Sequence, residues 1–510
     1  MTTLAVGGRA FMNAVFNVGG TVFGIAVWFV LTPFVVSRLG RVDYSIWVLF
    51  FAVSGYAPLL GLGIGDALTR AIATAANTEE RSWIGNLLCG ALWFYGVVAV
   101  LILAATAALA PHPQFLLHVP RSSAGTEHDV LVLTGIYFAA LLVASVPLAV
   151  LRGLQRFDLI NAVVAVSVLV SAGVYVVVLL LGGGVVQLVA AVLVLELVVQ
   201  VPFVVVIRRV APWLHAGGLL PTRETMRVLV TYGSARSLIR LGTVVRSRSD
   251  ELILGALAPV GAIGPYALCR RFAVAPSMLT SQLVDIILPM ASQFSAAADT
   301  QRLRDLTLAG LRLSMALMLT FGVGIAFLAD AFLRAWVGPP YAQYAAVAPV
   351  FVATALLDTV QATVAAVVGG IGRQGAAARA STAGAVVKVA LGIALYKTYG
   401  VEGVAFGGLV AAALTTAPPL LDLGRHLHLR PAASARAVLP AALVPLLPAC
   451  GIVYVLSRTV SPAGLPSVFA IGAVGAIVYV AAYSSLGSTA LERAAVREAL
   501  RRVRRRRATS

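Results

Sequence analysis

The chain has 510 residues, 60% of them hydrophobic and only 11% charged, with a formal net charge of +18 and a mean hydropathy of +0.94. Soluble globular proteins carry roughly 25% charged residues, so this composition excludes a water-soluble protein and indicates a polytopic membrane protein. The apolar stretches are helix length and lack two-residue alternation, which makes the spans α-helical rather than barrel strands.

Arg9 precedes an apolar run from Phe11 to Val36. That run exceeds the roughly 7 to 15 residues of a cleavable signal core and is read as a retained first span. Breaks at arginines and at Gly-Pro and Asp-Asn punctuation divide the chain into fourteen spans, at about 11–37, 43–75, 83–110, 129–151, 158–181, 185–207, 225–257, 262–292, 306–330, 343–369, 379–397, 401–423, 437–457 and 466–486. Lys and Arg concentrate on the side of the two termini, with Arg38, Arg41, Arg121, Arg334, Lys397 and Arg458 opposite, so both ends are expected in the cytoplasm. The basic tail, residues 487–510, reads as a topology anchor that attracts anionic headgroups rather than as a nucleic-acid arm.

Several local features read as structural. Cys89, Cys269 and Cys450 lie far apart in apolar segments and read as small buried side chains. His112, His118 and His128 share one loop at irregular spacing, which favours solvated histidines over a metal site. Gly182-Gly183-Gly184 lacks the following Lys and Ser or Thr of a phosphate loop and reads as a turn. Asn13, Asn17, Gly20 and Gly24 form a small polar stripe suited to close helix packing. Pro33, Pro58, Pro276 and Pro289 fall inside spans and are expected to bend them.

The chain repeats itself. Gly153-Leu154-Gln155-Arg156 opens span five and Gly370-Ile371-Gly372-Arg373 leads into span eleven, about 217 residues later. Gly184-Val185 and Gly400-Val401 open spans six and twelve. Asp43-Tyr44-Ser45-Ile46 precedes the bulk of span two as Gly264-Pro265-Tyr266-Ala267 precedes that of span eight. This order predicts two parallel six-helix lobes around a central cavity, at 1–210 and 211–424, with an added helix pair at 425–486.

Six arginines stand in spans seven and eight: Arg236, Arg240, Arg246, Arg248, Arg270 and Arg271. A charge at that depth costs several kcal/mol, about 3 to more than 10, unless it faces a wet cavity or a partner. The acids nearby are Asp250 and Glu251, too few to pair with all six. Guanidinium forks match phosphate oxygens bidentately, so these residues are expected to bind an anion, with Lys388 adding charge from span eleven. Two other readings of the arginines stay open, pairing with remote acids and displaced span boundaries. Four acids in spans, Asp66, Glu196, Asp285 and Asp358, are candidates for binding a coupling ion, either H⁺ or Na⁺. Asp66 lies one turn from Arg70, which also allows a simple intrahelical pair. With no nucleophile motif and no cofactor fingerprint, the expectation is a non-enzyme without cofactor or metal.

The segments Ser37-Arg38-Leu39-Gly40-Arg41-Val42-Asp43-Tyr44-Ser45-Ile46-Trp47 and Leu60-Gly61-Leu62-Gly63-Ile64-Gly65-Asp66-Ala67-Leu68-Thr69-Arg70 carry a resemblance. So do Ser249-Asp250-Glu251-Leu252-Ile253-Leu254-Gly255, Gly264-Pro265-Tyr266-Ala267-Leu268 and Leu288-Pro289. Over spans one to twelve the chain resembles the polysaccharide-transporter family, the O-antigen flippases of the multidrug/oligosaccharidyl-lipid/polysaccharide exporter superfamily. It departs from that pattern at Leu60, where the family often has an acid. The resemblance implies two lobes, alternating access, and translocation of a polyprenyl-pyrophosphate-linked oligosaccharide across the bacterial inner membrane for O-antigen or exopolysaccharide synthesis. A polysaccharide polymerase and other assembly proteins are the implied partners. The competing readings are a cation-coupled drug or metabolite antiporter of the same fold, a membrane polysaccharide polymerase or glycosyltransferase, and a membrane scaffold.

Overall fold

The computed structural model describes residues 3–74, 78–111, 124–214, 217–218, 220–460, 462 and 464–489. His112, His118 and the tail beyond residue 489 lie outside the described residues, as do the side chains of Asn13, Asn17 and Gly20's neighbours up to residue 22. The chain forms two compact units, Met1–Ala267 and Leu268–Ser510.

In the first unit α1 (Thr3–Ser54) is followed by the short α2 (Ala57–Leu60), α3 (Ile64–Thr74), α4 (Thr78–Leu109), α5 (Ala124–Gly153), α6 (Phe157–Leu180), α7 (Val185–Val210), α8 (Arg223–Leu257) and the first turn of α9 (Ile263–Ala296). The second unit holds the rest of α9, then α10 (Thr300–Trp336), α11 (Ala348–Gly370), α12 (Gln374–His426), α13 (Pro431–Leu443), α14 (Leu446–Thr459) and α15 (Leu465–Ala482). Every regular element among the described residues is helical, and eleven helical stretches are long and apolar enough to cross a membrane. Among the described residues the fourteen expected spans fall mainly on helix, span two with a break described below. Two of these stretches are each kinked at a glycine, α1 carrying span one and the start of span two and α12 carrying spans eleven and twelve, while α8 holds nine charged residues, too many for an ordinary span.

Chain length explains the kinks. At 1.5 Å per residue, the 53 residues of α12 would reach about 80 Å, more than twice a hydrocarbon core of about 30 Å. At Gly400 the backbone takes φ 62° and ψ −142°, and the helix doubles back. A Cβ added to Gly407 would stand 2.8 Å from Gly392 N. The two arms therefore touch backbone to backbone, as small residues permit in helix packing within lipid. Gly40 in α1 takes the corresponding positive φ, 73°.

Just beyond Gly40 the two repeat signatures meet. The Gly264 N–H donates to Ser45 Oγ at 2.9 Å, and Arg41 Nε donates to the Gly261 carbonyl at 2.6 Å. A Cβ on Gly264 would lie 2.9 Å from the Tyr44 ring, so glycine is what lets α9 start against Tyr44. Tyr44 and Tyr266 are both buried. The helix α8, which the repeat assigns to the second lobe, packs against α1, α3 and α4 of the first unit.

Span two departs from a plain helix. Pro58 begins α2 instead of bending a continuous span, because proline's missing N–H costs nothing in a first turn. After Leu60 the chain turns through Leu62 and Gly63, at φ 43° and 68°, before α3 starts. Tyr95 of α4 closes this break: its hydroxyl accepts from the Gly65 N–H at 3.0 Å and donates to the Gly61 carbonyl at 3.5 Å. Non-helical backbone at membrane depth requires such internal partners. Around Tyr95 the side chains of Ile64, Leu68, Ile84, Leu87, Leu142, Val146 and Leu229 form an apolar core.

In the second unit α11 is tied to α10 by a 2.9 Å hydrogen bond between the Ser314 and Thr363 hydroxyls. The added pair docks on α10: Gly324 of α10 faces Gly472 of α15, and Phe332 meets Phe469 edge to face at 6.1 Å. Tyr479 of α15 donates to the Ala442 carbonyl at 2.8 Å, which fixes α15 to the end of α13.

Tyr95→Phe removes both bonds across the break and should lower stability by about 1–3 kcal/mol, read by denaturant unfolding in detergent. Leu62 is 38% exposed at positive φ, so Leu62→Gly should raise stability by about 1 kcal/mol by relieving left-handed backbone strain. Unchanged stability in Tyr95→Phe would mean that the break is satisfied by other groups.

Candidate functional site

The first unit encloses a cavity of about 530 Å³. Its walls come from α1, the broken stretch α2–α3, and α4 to α7, with Trp28, Tyr137 and Tyr175 supplying aromatic faces and Ser145, Ser167, Ser171 and Thr69 supplying hydroxyls. The aromatic wall is braced from behind: Trp28 and Trp47 contact Tyr175 at 6.2 and 5.5 Å, and Phe50 contacts Tyr137 at 5.2 Å. Thr69 donates to the Ala149 carbonyl at 3.0 Å and so fixes α3 to α5 beside the cavity. Arg248 reaches over the α1–α2 junction, with Nε 3.1 Å from where a Cβ on Gly55 would stand.

Three charged groups line this space: Asp66, Glu196 and Arg152. Asp66 stands in the first turn of α3, where the helix macrodipole favours a carboxylate. Arg152 stands in the last turn of α5, where the opposite end of a dipole favours a cation. Glu196 sits on α7 and accepts from Gln200 Nε2 at 2.9 Å, a partner one helical turn away. With its amide committed to Glu196, Gln200 keeps its own carbonyl oxygen buried and without a hydrogen-bond partner among the described residues. A carboxylate and a carbonyl oxygen one helical turn apart are hard donors of the kind that hold Na⁺, and the carboxylate alone can take a proton.

The other expected site residues are distributed over both units. In the first unit, Arg246 is half-buried and Arg248 exposed, while the side chains of Arg236 and Arg240 lie outside the described residues. Asp250, one of the acids near these arginines, is buried and accepts from the Tyr266 hydroxyl at 3.2 Å. In the second unit, Arg270 is half-buried, Arg271 exposed and Lys388 buried on α12 beside Gly408. Asp285 is exposed and Asp358 half-buried. Of the four candidate acids, the structure therefore brings Asp66 and Glu196 to one cavity.

Sequence reading missed Arg152, Gln200 and the aromatic wall. Two signals were available: Gln200 follows Glu196 at a spacing of four, and Ser167, Ser171 and Tyr175 repeat at that spacing on α6. Trp28 and Tyr137 had none, because they join the site only through packing. Cys89 and Cys269 are buried and donate to the Gly218 and Tyr344 carbonyls, and Cys450 is half-buried. Among the described residues no group of His, Cys, Asp or Glu is placed to hold a metal ion.

Comparison with known proteins adds the following. Residues 61–346 match a family model described as polysaccharide biosynthesis protein. The uncharacterized membrane protein EpsK of Bacillus subtilis is 21% identical over 327 residues, 63% of either chain. A probable low-salt glycan biosynthesis flippase of Haloferax volcanii, Agl15, is 21% identical over 196 residues, 38% of this chain and 42% of that one. The chain thus spans less than two thirds of these curated relatives. A solved structure of the lipid II flippase MurJ, in an inward closed conformation, superposes with a TM-score of 0.67 at 14% identity, covering 92% of this chain and 98% of the other. At that identity the likeness concerns the fold.

The polar lining predicts a hydrated cavity. In a background with the three native cysteines replaced by serine, Ser167→Cys and Ser171→Cys should react with a small water-soluble thiol reagent, and Val177→Cys, on the exposed apolar face of α6, should resist it. Equal reactivity at all three positions would rule out a distinct wet chamber.

Proposed function

Because the chain belongs to the polysaccharide biosynthesis protein family, we propose that it is a transporter rather than an enzyme and flips a polyprenyl-pyrophosphate-linked oligosaccharide across the bacterial inner membrane. The match over residues 61–346 carries this reading, since it runs from the Gly-rich break of span two to the end of α10. The flippase description of the archaeal relative supports it. In this reading both termini face the cytoplasm, and the product feeds O-antigen or exopolysaccharide synthesis alongside a polymerase and other assembly proteins.

The substrate end of the proposal rests on charge. A diphosphate brings two or more negative charges, and Arg236, Arg240, Arg246, Arg248, Arg270 and Arg271, with Lys388, supply the guanidinium and ammonium groups that bind such oxygens. The two six-helix lobes rock in alternating access while the polyprenyl tail stays in lipid. The cavity of the first unit has a different role here. At about 530 Å³ it is within the range of small-ligand sites, roughly 300–1,000 Å³. Glu196, with Gln200, is accordingly assigned to the coupling ion, H⁺ or Na⁺. Asp66 is the second acid of that chamber, and Asp285 and Asp358 are the remaining candidates.

A second reading, a cation-coupled drug or metabolite antiporter of the same fold, draws on the same chamber, because aromatic walls beside a carboxylate also suit an organic cation. The two readings differ in how they respond to loss of arginine. In cells that depend on this protein for surface polysaccharide, Arg240→Ala or Arg270→Ala should abolish polymer and accumulate its lipid-linked precursor, while leaving cation efflux nearly unchanged. Full polymer yield in both variants would reject the arginine-based mechanism. Glu196→Gln should keep substrate binding but remove the dependence of transport on a Na⁺ or proton gradient; persistence of that dependence would take the coupling role away from Glu196.

A further inference from the structure

A second opening lies in the other unit, at the seam where the added helix pair meets α10. It is a groove of about 810 Å³ lined by Phe327, Asp330 and Arg334 of α10 and by Tyr454, Ser457 and Arg458 of α14. Arg334 and Arg458 each occupy the last turn of their helix, so the groove sits where two spans end together. That end belongs to the side opposite the termini in the charge-based topology.

The two arginines differ in what they hold. Arg334 is committed to Asp330, with Nε donating to both carboxylate oxygens at 2.9 and 2.8 Å. Arg458 lies over the Tyr454 ring, with Cζ 5.6 Å from its centroid, and makes no ion pair among the described residues. Tyr454 is held in place by an edge contact with Phe327 at 6.4 Å. Two arginines and one aspartate leave the groove with a charge of +1, carried by a guanidinium whose stem is fixed by stacking. Below it, Phe327, Tyr454 and Val455 are 42%, 52% and 51% exposed, an apolar face that continues from the charge toward the hydrocarbon.

That combination matches one ligand chemistry: a single negative phosphodiester with apolar chains attached. We propose that the groove binds the headgroup of an anionic glycerophospholipid, with Arg458 holding the phosphate and Arg334, poised by Asp330, available to its second oxygen. The lipid then lies along α10 and α14 and fills the seam that the added pair opens. This site is independent of the flippase reading, since it uses none of the residues assigned to substrate or coupling ion. A free phosphate would meet the same guanidinium but gain nothing from the apolar face, so the two occupants can be told apart.

Native mass spectrometry of the full-length protein, titrated with phosphatidylglycerol from a delipidated detergent preparation, reads the site directly. Arg458→Ala should weaken the tightest phosphatidylglycerol adduct about tenfold, the loss of one charge-assisted contact, and Arg458→Lys should weaken it less. Arg302→Ala, which removes an equal charge from the exposed start of α10, should leave the adduct unchanged. Phosphatidylethanolamine should bind more weakly than phosphatidylglycerol, and millimolar inorganic phosphate should not displace the lipid. Equal binding by wild type and Arg458→Ala, an equal loss in Arg302→Ala, equal affinity for the zwitterionic lipid, or displacement by phosphate would each overturn the proposal. Because Arg458 is exposed, the variants are expected to fold, and their melting temperatures provide the check.

Discussion

Hydrocarbon offers no partner to a peptide group that leaves the helix, and the first unit is arranged around one place where the chain does so. Between Leu60 and Ile64 the backbone of span two breaks, and a single phenol from α4 bonds the groups on either side. Tyr95 is also a wall of the cavity and a member of the unit's apolar core. The interruption, the chamber and the packing of α3, α4 and α5 are therefore one arrangement. A continuous helix in the same place would need no such tyrosine, and it is Gly61, Gly63 and Gly65 that leave the cavity wall bare there.

This division of labour separates two kinds of charge. The arginines of spans seven and eight and Lys388 are suited to an anion, whereas Glu196 and the Gln200 carbonyl are suited to a small cation. The separation is not complete, since Arg152 lines the same chamber as Asp66 and Glu196. In lipid the same two groups in contact would form an ion pair, leaving neither to bind a ligand. Asp250, which sits among the arginines in sequence, accepts a hydrogen bond from the Tyr266 hydroxyl.

Much of this was legible in the residue order, and the limits are physical. Hydropathy located the spans because burial in lipid demands long apolar runs. The repeat located equivalent turns, and the residues it paired, Tyr44-Ser45 and Gly264, prove to be in contact. The Gly-rich turn after Leu60 was legible as part of the family resemblance, but its positive φ at Leu62 and Gly63 and the tyrosine that spans it were not. Proline misled at residue 58 for a related reason: the same residue bends a helix interior and starts a helix, and only the neighbouring geometry decides. In the site, Glu196 and Gln200 could be paired by spacing. Tyr95, Trp28 and Tyr137 could not, because which distant helix faces which is a tertiary outcome.

The hairpin of α12 bears on how the protein is made. Its two arms are joined through one residue, Gly400, with no connecting loop, and they press together at Gly392 and Gly407. Lys397 and Glu402 flank that bend, so a translocation channel meets only these few polar residues between the arms and has little on which to hold one arm while the other is made. The first arm on its own would also carry Lys388 into lipid before its neighbours arrive. A hairpin with so short a polar bend thus favours release of its two arms together.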